Sequence, residues 1–188
     1  SSITEEVHKD TIYITVVDKD RMVVSLIYSI FHSFGSGIAS EKFGVLFQNR
    51  GAGFNLIPGH VNEYGAGKRP LHTIIPAVVR EKGTVKMPFG VMGGQYQAAG
   101  HARVLSNIYD FEIDIQTALD APRSFFENGS LRIERGYDEK TIQKLSSLGH
   151  NIDTKIGPIG GAQAIKINEN GVLQGASDPR KDGCAIGY

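Results

Sequence analysis

The sequence predicts an α+β fold in which helices pack on sheets that are mainly antiparallel. Two observations carry that class. Strand-like and helix-like stretches come in blocks: strands first, then helices, then strands again. A chain built of βαβ units would alternate them instead. Several strand-like stretches are also separated by turns too short for a crossover helix, so they read as hairpins. The 188 residues suffice for one domain with a sizeable core, and 40% hydrophobic with 21% charged residues describes a soluble globular chain.

Each element has its own signal. Residues 1–10 are polar and read as a leader or linker. The β-branched run from Thr11 to Asp18 reads as a strand, residues 19–22 as its turn, and residues 23–31 as the returning strand. Residues 34–38 form a glycine-containing loop, and Gly44 to Phe47 reads as a short buried strand. Residues 49–70 are rich in glycine and proline without periodicity, which predicts an ordered surface loop; one this long is more often functional than idle. Residues 73–80 and 84–91 read as a hairpin around Glu81, Lys82 and Gly83. Gly93 and Gly94 precede a helix predicted over residues 96–109, and a short helix over 113–119 is stopped by Pro122. A strand is expected at 131–134. A helix is expected over 138–148, with Asp138 as N-cap and Gly149 at its C-terminus. Residues 162–167 and 171–175 close the pattern as a hairpin around the turn 168–170.

Composition excludes several functions. Twenty basic residues balance twenty acidic ones, so nothing favours a nucleic acid or an anionic membrane as partner. No apolar stretch reaches the length of a membrane span. Cys184 is the only cysteine, which rules out an internal disulfide and is compatible with a cytoplasmic setting. The six histidines are scattered, so no structural zinc is expected. No cofactor motif is present, and none is expected.

Thr11 is the first candidate for chemistry. A threonine inside a chain is a poor nucleophile. If the bond from Asp10 were cut, its hydroxyl would lie beside its own α-amine, whose ordinary pKa of about 7.7–8.0 suits it as a local base. The plain alternative is an ordinary strand that happens to begin with threonine.

The remaining motifs decide between these. Thr11 with the strand end Val16-Val17-Asp18-Lys19-Asp20, then Phe34-Gly35-Ser36-Gly37-Ile38, Gly67-Lys68-Arg69-Pro70-Leu71, Met92-Gly93-Gly94, Asp120-Ala121-Pro122-Arg123 and Gly175-Ala176-Ser177-Asp178-Pro179-Arg180 stand in this order. Together they resemble the catalytic small subunit of γ-glutamyltransferases, from Thr11 to Tyr188. The resemblance implies an N-terminal-nucleophile hydrolase with an αββα sandwich. It also implies a large upstream segment of the same precursor, released by self-cleavage before Thr11 and retained as the heterodimer partner that completes the sheets. Residues 11–188 would be the catalytic domain and a small-molecule amide the substrate. Thr11 matches the nucleophile, Ser29 the hydroxyl that hydrogen-bonds it, and Gly93 and Gly94 the pair whose N–H groups form the oxyanion hole.

The departures are in the acyl pocket. The family holds the substrate's α-ammonium with an asparagine, a glutamine and an aspartate; those positions are Phe31, Arg50 and Gly53 here. The paired serines that hold its carboxylate are His72 and Thr73. Arginine repels an ammonium and pairs with a carboxylate. This is similar to the branch that includes glutaryl cephalosporin acylases, although Arg50 is also readable as a solvated surface residue. The function expected is therefore cleavage or transfer of a γ-glutamyl or glutaryl-like acyl group. The alternative is an unprocessed, inactive relative with a binding or structural role.

Five further features carry weaker signals. Ser1 is a weaker nucleophile candidate than Thr11. Asn128-Gly129-Ser130 fits a glycosylation sequon but reads better as a turn. Asp178 and Arg180 read as a structural ion pair and Cys184 as a buried small residue, while Tyr64 is a candidate pocket-lining aromatic or a plain loop residue.

Overall fold

The computed structural model describes residues 11–188, so the leader and Ser1 lie outside the described residues. Strand β1 (Thr11–Val17) pairs antiparallel with β2 (Val23–Ser29), and the register sets Thr11 opposite Ser29. Asp18 closes the turn between them, its Oδ1 accepting the N–H of Asp20 at 2.9 Å and of Met22 at 2.8 Å. Such side-chain capping is why aspartate suits turns.

Residues 30–76 hold only a short 3-10 turn at Arg50–Gly53 as regular structure. The strand β3 (Ala77–Glu81) and β4 (Thr84–Met92) follow as a hairpin, with Lys82 and Gly83 both at positive φ, as a two-residue type I′ turn demands. Helix α1 (Tyr96–Tyr109) and helix α2 (Ile115–Asp120) come next. Strands β5 (Ser124–Glu127) and β6 (Ser130–Ile133) form a hairpin, and helix α3 (Glu139–Ser147) leads to the two-residue β7 (Ile152–Asp153), parallel to β6. Strands β8 (Gly161–Ile167) and β9 (Leu173–Ser177) complete a four-stranded sheet of order β3-β4-β8-β9.

Alternation along β4 builds the layers. Met87, Phe89 and Val91 turn to one side and form the core with Tyr96, Val104 and Ile108 of α1 and Ile115, Ala118 and Leu119 of α2. Gly90 turns to the other side, where the Tyr13 ring occupies the space a Cβ would need. The β1–β2 hairpin thus lies on one face of the four-stranded sheet, against β4 and β8, and the helices on the other. This is three layers of an αββα sandwich.

Several boundaries differ from the sequence reading, each for a physical reason. Gly44 to Phe47 is neither a strand nor buried: it makes a single bridge, Ala39 to Leu46, and Val45 and Phe47 are half exposed. Its apolar pattern has nothing over it among the described residues. The second strand stops at Ser29 because Phe31 takes φ 78°, which turns the chain. The edge strand β3 begins after Pro76, whose missing N–H cannot extend a ladder. Helix α2 begins two residues late because Asp114 is its cap, accepting the N–H groups of Gln116 and Thr117. Strand β5 was not foreseen, although Asn128 and Gly129 at positive φ make the turn that joins it to β6. Cys184 is exposed, not buried, since the last residues run over the surface. The caps of α3 fall where expected: Asp138 accepts the Thr141 N–H at 2.7 Å, and Gly149 has φ 93°.

Candidate active site

The hairpin register brings the first two candidate residues together. Thr11 is buried, and its Oγ1 donates to Ser29 Oγ at 3.3 Å. Ser29 Oγ also accepts the Phe31 N–H at 3.1 Å and Arg50 Nη2 at 3.1 Å. The guanidinium lies over the Phe31 ring, 4.9 Å from its centroid. Thr11, Ser29, Phe31 and Arg50 therefore form one contact chain, although 39 positions separate its ends in sequence.

Asn49 makes that reach possible. Its backbone N–H donates to Ile30 O at 3.1 Å, and its Oδ1 accepts the His32 N–H at 3.1 Å. The 3-10 turn that starts at Arg50 is thereby tied to the end of β2. Partial burial pushes the Arg50 guanidinium below its ordinary pKa, where it remains a cation at neutral pH. Phe31 holds a left-handed backbone, which costs a non-glycine residue of order 1–3 kcal/mol and marks the segment as held by its surroundings.

A small cavity of about 40 Å³ lies beside this chain, lined by Phe31, Gly53, Leu71, His72, Thr73 and Gly94. It gathers segments far apart in sequence. Gly93 and Gly94 have φ 123° and 57°, and their carbonyls accept the first N–H groups of α1, from Tyr96 and Gln97. Among the described residues their own N–H groups make no turn or cap hydrogen bond. A turn that points successive N–H groups outward at a helix N-terminus is suited to hold negative charge. Of the sequence candidates, His72 and Thr73 reach the cavity without bonding to Thr11, Ser29 or Arg50. Tyr64 packs edge-on to Phe54 at 5.5 Å and does not line it.

Two residues beside the cavity segment are not legible in the sequence. Gln97 and His101, on the buried face of α1, hold the segment that carries His72 and Thr73. The Gln97 carboxamide, with its nitrogen turned to the two carbonyls, donates to Thr73 O at 2.7 Å and Val91 O at 3.2 Å. The His101 ring meets Gln97 O at 2.6 Å and Ile75 O at 2.8 Å. Their only signal is polar residues at i and i+4 on a helix stripe continued by Val104 and Ile108. No group of three or more histidine, cysteine, aspartate or glutamate residues suited to a metal exists among the described residues.

Comparison with known proteins agrees across sequence and structure. The gamma-glutamyltranspeptidase family model matches residues 1–188. The glutathione hydrolase-like YwrD proenzyme of Bacillus subtilis is 38% identical over 191 residues, covering 96% of this chain and 36% of its own length. The oxamate amidohydrolase proenzyme of Klebsiella pneumoniae is 36% identical, covering 95% of this chain and 36% of its own length. The chain thus spans about a third of the curated relatives it matches. Cephalosporin acylase from Bacillus halodurans superposes with a TM-score of 0.86 at 38% identity, over 94% of this chain and 34% of that one. The gamma-glutamyltranspeptidase from Pseudomonas nitroreducens superposes with 0.85 at 27% identity, over 94% of this chain and 98% of that one. The fold is that of these N-terminal-nucleophile hydrolases.

Proposed function

Because the chain belongs to the gamma-glutamyltranspeptidase family, we propose that it is the catalytic part of an acylase whose nucleophile is Thr11. Residues 1–10 end at the cleavage site. Once the bond from Asp10 is cut, the free α-amine of Thr11 takes the hydroxyl proton and Oγ1 attacks the substrate's amide carbonyl. The N–H groups of Gly93 and Gly94 receive the charge that develops on the carbonyl oxygen; comparable donors contribute roughly 2.7–4 kcal/mol each. The amine leaves with a proton, an acyl-enzyme remains on Thr11, and water or an amine resolves it. Ser29 orients the nucleophile.

The acyl group carries a carboxylate and needs no α-ammonium. The observation that carries this reading is the Arg50 guanidinium, 3.1 Å from the hydroxyl that Thr11 hydrogen-bonds. A cation there, over Phe31 and with Gly53 alongside, repels an ammonium and pairs with a carboxylate. His72 and Thr73 supply polar contacts at the cavity's other wall. Relatives named an oxamate amidohydrolase proenzyme, glutathione hydrolase proenzymes and acylase proenzymes support hydrolysis or acyl transfer in breadth, and the choice of acyl group rests on Arg50. An upstream segment of the same precursor is the partner; its place is the apolar face of β1–β2 that is exposed among the described residues.

The test compares kcat/KM for matched γ-glutamyl and glutaryl anilides on the processed enzyme. The acyl groups differ only by the α-amine. Glutaryl should be turned over at least as well as γ-glutamyl, and Arg50→Gln should move the ratio back toward γ-glutamyl. A strong γ-glutamyl preference in the parent enzyme contradicts the assigned role of Arg50.

A further inference from the structure

We propose that a largely buried four-charge cluster, Arg123, Glu134, Asp178 and Arg180, aims the N–H groups of Gly93 and Gly94 by holding Ile159 and Gly160; this rests on the acyl-transfer reading above. None of the four lines the cavity, so they are positioning residues. Their burial makes a stability role alone a poor account. Arg123 is 2% and Asp178 0% exposed, and removing paired charges from water costs more than the pairing usually returns. The cluster's geometry shows what it grips.

Both backbone groups of one residue are held by charges. Glu134 Oε1 accepts the Ile159 N–H at 2.6 Å, and Arg123 Nη1 donates to Ile159 O at 2.8 Å. Glu134 is fixed in turn: its Oε2 accepts the Arg123 N–H at 2.9 Å, and Arg180 donates from Nε to Oε1 at 2.9 Å and from Nη2 to Oε2 at 2.7 Å. Asp178 pairs with the Arg123 side chain and with Arg180 Nη1, and accepts the Ala162 N–H at 2.9 Å. Residues 159 and 162 are therefore pinned on either side of Gly160 and Gly161.

Those two glycines meet the oxyanion turn. Gly161 pairs with Met92 across β4 and β8. Gly160, at φ 63°, backs directly onto the turn: a Cβ on Gly93 would stand 2.7 Å from Gly160 Cα, and one on Gly160 would strike Met92 O. With contact this close, a shift of Ile159 passes through Gly160 to Gly93 without slack. Donors must lie within a few tenths of an ångström of the developing oxyanion to be effective, so a loosened Ile159 lowers turnover more than substrate binding.

The test is made on the full precursor and its processed form. Glu134→Gln keeps the side chain's size but removes its charge and replaces one acceptor by a donor. Met87→Ala, a core change on the helix side of β4, controls for lost stability. Two readouts are taken: kcat and KM with a glutaryl anilide, and amide hydrogen exchange across residues 92–94. Glu134→Gln should lower kcat at least about tenfold with KM changed less than about twofold, and should speed exchange across 92–94. Met87→Ala should lower the melting temperature while leaving both readouts near the parent. The proposal falls if exchange across 92–94 is unchanged in Glu134→Gln, or if Met87→Ala reproduces the kcat loss. A parent protein that never turns over would sink the acyl-transfer reading, while the exchange readout still decides the aiming. If Glu134→Gln does not fold, Arg180→Lys, which keeps the charge but loses the two-atom grip on Glu134, takes its place with the same outcomes.

Discussion

At the scale of single residues, Ser29 Oγ is where the hairpin, the turn at Phe31 and the guanidinium of Arg50 converge on Thr11. In the proposed reading, one hydroxyl both cuts the chain and turns over substrate. Thr11→Ala should abolish both, and Thr11→Ser should keep some of each; normal cleavage of the alanine variant in intact-mass measurements would remove Thr11 from this role. Glu134 sets an acid limit. Burial alone would raise its pKa, but the hydrogen bond from Arg180 and the N–H groups of Ile159 and Arg123 outweigh this and leave it lowered. A lowered carboxylate stabilises the fold fully above its unfolded value of about 4.3 and loses that contribution as pH falls through the folded value. Stability of the complete protein should therefore fall below about pH 4, and the fall should be shallower in Glu134→Gln. Equal acid profiles for the two proteins would contradict this. What the sequence reveals at this scale is whatever sits on a short, regular device. Thr11 is legible as the head of a β-branched run and Ser29 through the family resemblance, and the hairpin register shows why the two meet. Gln97 and His101 are not legible, because their partners at Thr73, Val91 and Ile75 follow from how α1 lies on the sheet.

At the scale of elements, the β1–β2 hairpin is placed by Tyr13. Its ring fills the space above Gly90, and its hydroxyl pairs with Ser25 Oγ at 2.7 Å, which in turn donates to Ala77 O at 3.0 Å. Gly90→Ala would push a methyl group into that ring. Overpacking of this kind costs about 1–3 kcal/mol, and here it would also lift the strand that carries Thr11. The variant should unfold at lower denaturant and process more slowly. Unchanged stability would mean that the hairpin rests elsewhere. Elements with their own punctuation were readable: Asp138 and Gly149 bound α3, and Lys82-Gly83 turns the β3–β4 hairpin. Strand β5 follows Pro122 closely and packs Phe125 edge-on against Tyr96, so a tertiary contact helps hold what local pattern left open. Gly44 to Phe47 shows the converse, an apolar pattern with no cover among the described residues.

At the scale of the whole molecule, one exposed apolar surface lies on regular structure, beside the exposed apolar residues of the 34–71 segment. Ile12, Ile14, Val16, Val24, Leu26 and Tyr28 all turn outward from β1–β2, each 46% exposed or more. The inward face holds Thr11, Thr15, Ser25 and Ser29 among Tyr13, Val17, Val23 and Ile27, so it is the more polar face of the hairpin. A sheet apolar on its outer face is an incomplete layer. It fits the αββα sandwich if a helical layer from an upstream segment covers it. Residues 11–188 expressed alone should therefore aggregate; a soluble monomer with sharp cooperative unfolding would contradict the missing layer. The central claim, that Thr11 becomes an N-terminal nucleophile, is tested most directly by the intact mass of the expressed full precursor. The account predicts two fragments, the smaller beginning at Thr11. A precursor that stays whole under conditions where it is folded would contradict it and leave a binding or structural protein in its place.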